Sequence, residues 1–232
     1  MKLLTLGNPK TQKGLKFGYL TAVLHLHPNT RMCPNASKGC FASCLNTAGR
    51  GGIIKRGETT NAILEARKRK TAWLQDNHHT FGARLVQDML LLRARAKRMG
   101  LKPALRLNGT SDVPWERHGM HTVAKGLGIQ LYDYTKSFER AMQQPYTLHF
   151  SRSEKPGSDK DVERLLRSGI SCVVVTETGV PSSAAYHYGL PYDRVISGDE
   201  HDLRFIDPPG SLVVVKAKGR ARHDRTGFVL PC

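Results

Sequence analysis

Short apolar runs rich in Val, Leu, Tyr and Thr recur along the chain, each bounded by Gly, Pro or polar residues. The runs GYLTAVLHLH (18–27), PALRLNG (103–109), IQLYDYT (129–135), YTLHFS (146–151), SCVVVTE (171–177), DRVIS (193–197), SLVVVKAK (211–218) and GFVLP (227–231) predict strands. Between the first two lies the longest helical pattern. It predicts helix from about Glu58 to Arg69 or beyond, and again from about Thr80 to Met99, where Gly100 stops it. Shorter helices are predicted over 114–126, 136–143 and 159–168, the last capped by Ser158 or Asp159 and ended by Gly169.

Strand–helix alternation implies an α/β fold with parallel strands and helical crossovers. Eight candidate strands suit a single domain over 1–232 built as a (β/α)8-like, TIM-type barrel, complete or incomplete; an open doubly wound sheet is the alternative. Both architectures place ligand chemistry at the C-terminal ends of the strands.

Composition narrows the setting. Hydrophobic residues make up 39% and charged residues 24%, the balance of a globular domain. No apolar run approaches the roughly 18 residues of a spanning helix, so no membrane partner is expected. The start, MKLLTLGNPKTQKG, has no long apolar core of a secretory signal, and five cysteines without one suggest a reduced, cytoplasmic location. Charge adds a partner. Lys and Arg number 36 against 19 Asp and Glu, a net +17, which favours a polyanion and above all nucleic acid. The charge is dense at ARKRK (66–70), RARAKR (93–98) and KAKGRARHDR (216–225).

The candidate chemistry is concentrated in RMCPNASKGCFASCLNTAGRGG. Cys33, Cys40 and Cys44 fall within twelve residues, on the loop leaving the first predicted strand. An odd number of thiols in a turn-rich segment suits a metal better than disulfides. Thiolate-rich sites hold iron–sulfur clusters or zinc, although structural zinc favours narrower spacings and a second ligand pair; simple packing cysteines are the third reading. The histidines His25 and His27 alternate on the first strand and share a face, as interior groups or as a zinc ligand. GRGG (49–52) does not match a phosphate-binding loop, and Trp115 reads as core.

The segments CPNASKGCFASCLNTAGRG, RLNGTSDVPWE (106–116) and SGDEHDLRFIDP (197–208) resemble the gene-product-88-like family of bacteriophage proteins. In outline the cysteine triad is also similar to that of radical-SAM iron–sulfur barrels, with C-x6-C-x3-C in place of the usual C-x3-C-x2-C. That resemblance implies a [4Fe–4S] cluster on Cys33, Cys40 and Cys44, and S-adenosylmethionine held in part by Asn108, Thr110, Ser111 and Asp112. A fourth thiolate would close the cluster, with Cys232 as the candidate and Cys172 as a core residue at the wrong end of its strand. Lys136, Ser151, Arg152, Thr176, Glu177, Asp199, Asp202, Arg204, Lys216 and Lys218 are expected at C-terminal strand ends as further site residues or as loop caps and ion pairs. Three functions compete: a cluster-bearing protein that binds nucleic acid, a radical enzyme, and a zinc-stabilised basic nucleic-acid-binding module.

Overall fold

A computed structural model describes residues 1–7 and 9–231 of the chain. In chain order its elements are β1 (Leu4–Leu6), α1 (Pro9–Lys13), β2 (Tyr19–Leu24), α2 (Lys38–Ala42), α3 (Ala62–Asp76), α4 (His78–Arg98), β3 (Lys102–Arg106), α5 (Met120–Gly126), β4 (Gln130–Thr135), α6 (Phe138–Gln143), β5 (Thr147–Ser151), α7 (Ser158–Arg167), β6 (Cys172–Thr176), α8 (Pro181–Tyr188), β7 (Val195–Ser197), β8 (Leu212–Lys216) and β9 (Val229–Leu230). Each of the eight predicted strands is present and shorter than its predicted run, with β3 starting one residue early, at Lys102. By internal packing the chain divides into two compact units, Met1–Cys33 with Ile54–Asp133, and Pro34–Ile53 with Tyr134–Cys232.

In the first unit β2, β3 and β4 run parallel in chain order, with Tyr19 opposite Lys102 and Ala104 opposite Gln130. The crossover from β2 to β3 is α3 and α4. Asn61 caps α3 by accepting from the amides of Ile63 and Leu64, and Asn77 both ends α3 and caps α4 through the Thr80 amide. Phe81, Leu85, Met89, Leu92 and Ala96 recur every three or four residues, so α4 buries one continuous face. Burial of each large aliphatic side chain there contributes about 1.5–3 kcal/mol. β1 pairs antiparallel with β2, Leu4 opposite Leu24, and was too short to show a pattern. It is tied down by side chains: Asp88 Oδ2 accepts from the amides of Leu3 (2.7 Å) and Leu4 (3.1 Å), and Lys70 Nζ donates to the Leu3 carbonyl at 2.7 Å.

In the second unit β6 is central. β8 lies along one edge, from Cys172 opposite Leu212 to Thr176 opposite Lys216. The other edge is shared in tandem by β5, Phe150 opposite Cys172, and β9, Val175 opposite Val229. β7 pairs parallel with β8. The core of Phe150, Val174, Leu212 and Val214 is closed by Val162, Leu165 and Leu166 of α7 and by Ala184 and Ala185 of α8. Strands buried on both faces are continuous apolar runs, which is why β6 and β8 were legible. At the start of α7 the cap is Gly157, at φ +86°, rather than Ser158 or Asp159.

The α/β class and the parallel strands agree with expectation. The one-after-another order of a (β/α)8 barrel is kept in the first unit; in the second, β8 stands between β6 and β7.

Candidate functional site

The NGTSD loop of the first unit follows β3 and is stapled by two side chains. The wholly buried Asp133 carboxylate accepts from the amides of Leu107 (3.1 Å) and Asn108 (2.8 Å). The Asn108 side-chain oxygen accepts from Ser111 Oγ (2.9 Å), the Val113 amide (2.9 Å) and the Trp115 indole (3.2 Å). Thr110 Oγ1 donates to the Leu26 carbonyl at 2.6 Å, and the Asp112 amide to the Met32 carbonyl at 2.7 Å. Gly109 has no room for a side chain: a Cβ there would lie 2.7 Å from the Leu24 carbonyl oxygen and from Val23. Of the four residues expected to hold a cofactor, Thr110 and the Asp112 amide tie the loop to the segment after β2, and Asn108 and Ser111 bond within the loop. Cys33 is partly buried beside them, its Sγ 4.0 Å from the Thr110 carbonyl oxygen. The backbone of His27 bonds Thr71 Oγ1, and burial, with Lys68 and Arg67 nearby, lowers the pKa of its ring.

In the second unit, residues 34–53 are latched to the ends of the parallel strands. Ser37 caps α2 through the Cys40 amide. It also donates to Glu154 Oε2 at 2.6 Å, and the Gly39 amide donates to Oε1 at 2.6 Å. Burial of Glu154 opposes its charge, yet these two donors and nearby Lys136 hold its carboxyl below the ordinary range. Gly39 is pressed so close that a Cβ would collide with Thr226 and lie 2.8 Å from Phe228 Cβ. Asp224 accepts from Thr226 Oγ1 (2.8 Å), Ser43 Oγ (3.4 Å) and the Val229 amide (3.0 Å). The Cys40 side chain packs against the apolar cluster of Ala217, Ala221, Phe228 and Val229, and Cys44 Sγ accepts from the Asn46 amide at 3.4 Å, capping the turn Leu45–Thr47.

These placements correct the metal expectation. Among the described residues no three His, Cys, Asp or Glu side chains form a group that could hold a metal ion. The cluster-bearing reading of Cys33, Cys40 and Cys44 is overturned on that geometry, as are the radical-enzyme and zinc-module readings that needed the same ligands. Cys232, the candidate fourth ligand, lies outside the described residues. Cys172 is a core residue as expected, its thiol pushed well above the ordinary range by burial.

The other residues expected at strand ends of the second unit are mostly paired with one another. Lys136 Nζ donates to the Ser151 carbonyl and hydroxyl (both 3.1 Å) and to the Arg152 carbonyl (2.9 Å), and lies 4.9 Å from the Phe228 ring centroid. Arg152 grips Asp159 with two bonds, at 2.9 and 3.1 Å, and donates to the carbonyls of Gly227 and Phe228. Tyr188 completes that group with a 2.6 Å bond to Asp159. Asp199 accepts from Lys218 (2.7 Å) and the Lys216 amide (3.1 Å), and Thr176 Oγ1 accepts from the Gly179 amide (2.9 Å). Asp202 is buried. So is Arg204, which pairs with Asp207 at 3.0 Å. Glu177, Lys216 and Arg222 line an open cleft of about 390 Å³.

Charge separates the two units far more sharply than the three basic clusters suggested. The first unit holds 20 Lys and Arg against 7 Asp and Glu, a net +13; the second holds 16 against 12, a net +4. Residues 1–33 contain no acid at all, the signal in the sequence that points to this. On α4, Arg93, Arg95, Lys97 and Arg98 are all exposed, as are Lys2, Lys13, Lys16 and Lys102 elsewhere in the unit. The ARKRK cluster is less available: Lys70 is buried, and Lys68 pairs with Glu65 at 2.8 Å.

No helix among the described residues is long and apolar enough to cross a membrane. Comparisons with curated proteins and with solved structures find no match, and the likeness to radical-SAM barrels has no support from them. The family model described as Gene product 88 matches residues 2–231, and the chain belongs to that family.

Proposed function

We propose that the chain is a nucleic-acid-binding protein of the cytoplasm, gripping the phosphate backbone with the exposed Lys and Arg of its first unit. The observation that carries this reading is the concentration of +13 of the net +17 in that unit. Exposed cations on α4 neutralise phosphates and release condensed counterions, which favours binding without reading sequence. The same reading takes the fold as an incomplete (β/α) barrel, supported by the chain-order parallel run of β2, β3 and β4.

The test is fluorescence anisotropy of a labelled oligonucleotide with the full chain across a salt series. A quadruple variant, Arg93→Gln, Arg95→Gln, Lys97→Gln and Arg98→Gln, is expected to weaken binding at least tenfold. A control with Arg220→Gln, Arg222→Gln and Arg225→Gln in the second unit is expected to weaken it less than threefold. Equal losses in the two variants, or affinity that ignores salt, would sink the proposal.

A further inference from the structure

The first unit has an open cleft of about 590 Å³, within the range of about 300–1,000 Å³ in which small ligands are bound. β1 and β2 contribute Leu4 and Leu20, the 14–17 turn contributes Leu15, and Met99 follows the end of α4. Lys2 and Arg95 add the positive charge, and among the described residues no carboxylate lines the cleft. We propose that this cleft takes one unstacked base of a single-stranded nucleic acid, with the flanking phosphates on Lys2 and Arg95. The inference rests on the nucleic-acid reading above and narrows it to single strands.

Three observations carry it. Leu15, Leu20 and Met99 offer an apolar wall that suits the face of a base, which a bare phosphate on Lys2 and Arg95 would leave uncovered. A base within a duplex must be unpaired and unstacked to enter such a cleft, at a cost in free energy, whereas an unpaired base gives up only stacking. The positive charge also continues one helical turn past Arg95, through the exposed Arg98 on the same flank of α4, as a chain of several phosphates requires. An amphiphile with a single anionic head would use only the two at the cleft. The site is preformed as well, because Asp88 and Lys70 pin the backbone of Leu3 and Leu4 that carries the cleft's first strand. Contact with Leu and Met rather than a stacking aromatic ring predicts weak preference among bases.

The experiment compares wild type with Leu15→Trp, which fills the cleft without changing charge. Anisotropy is read with a labelled twelve-nucleotide oligothymidylate, about twelve residues being within the span of known single-strand sites, and with a duplex of equal length. Leu15→Trp is expected to weaken the single strand at least tenfold and the duplex less than twofold. In parallel, an oligonucleotide carrying 4-thiothymidine is photocrosslinked to wild type, and attachment is expected on peptides containing Leu15 or Met99. Crosslinks confined to other peptides, with Leu15→Trp binding the single strand normally, overturn the cleft proposal and leave the nucleic-acid reading standing. Absence of binding to either polymer at low salt overturns both. Tight binding of laurate that Leu15→Trp abolishes, with oligonucleotide binding unchanged, assigns the cleft to an amphiphile instead.

Discussion

Asp88, which no motif singles out, holds the first strand of the first unit in place. Its buried carboxylate satisfies two backbone amides of the first strand and pairs with Arg84 at 3.0 Å. Removing it strands those donors in the interior beside Lys70, whose ammonium is already disfavoured by burial. Asp88→Ala is expected to cost about 3 kcal/mol in urea unfolding with the m-value unchanged; a loss under about 1 kcal/mol would refute this role. His149 offers a second residue-level test. Its ring is buried with no hydrogen-bond partner among the described residues for either nitrogen, and burial, followed by the nearby Arg204, lowers its pKa from 6.5 to about 3. The unfolded chain therefore binds a proton between pH 6.5 and 3 that the folded chain refuses, and folded stability falls as pH drops through that window. Asp207 acts in the opposite sense, since burial raises its pKa from 3.8 to about 6 and the folded chain takes up that proton first. Relative to wild type, His149→Phe is expected to gain up to about 1.4 kcal/mol of stability per unit of pH drop below 6.5. Thermal melts from about pH 7 to about pH 4 measure this, and a constant difference would exclude it.

At the scale of elements, the cysteine segment is a latch of the second unit. Glu154 holds the first turn of α2 by the Ser37 hydroxyl and the Gly39 amide, and Asp224 holds its end through Ser43. Glu154→Ala is expected to speed amide exchange at Gly39 and Cys40 at least tenfold while the amides of β6 and β8 keep their protection. Uniform loss of protection would instead make Glu154 a determinant of the whole fold. The place of this segment was legible, since it follows the first long strand in the sequence. Its role was not, because thiol spacing does not say which way each side chain points. Cys40 turns into an apolar cluster and Cys44 caps a turn, two ordinary uses of a cysteine that a ligand motif resembles in one dimension. The NGTSD loop repeats the lesson: its location after β3 was read correctly, while the buried Asp133 that staples it lies 25 residues from Asn108 and carries no local signal.

For the whole molecule the governing feature is the uneven charge. With the four exposed cations of α4 on phosphates, log affinity for a single strand is expected to fall with log salt with a slope of about −3, and the glutamine variant described above to flatten it toward zero for that contribution. Net charge was legible from composition alone. Its partition is largely in the sequence as well: residues 1–133 carry 22 Lys and Arg against 7 Asp and Glu, a net +15, and the second unit takes from that half only the acid-free stretch 34–53.

Local periodicity and composition are enough to give the α/β class, the eight long or apolar strands and the overall basic character. The placement of β8 between β6 and β7, the tethering of β1 by Asp88, and the packing and capping roles of Cys40 and Cys44 emerge with the folded chain. Each of those depends on contacts between residues far apart in the chain, whose partners are chosen by burial and hydrogen-bond satisfaction after the strands have met.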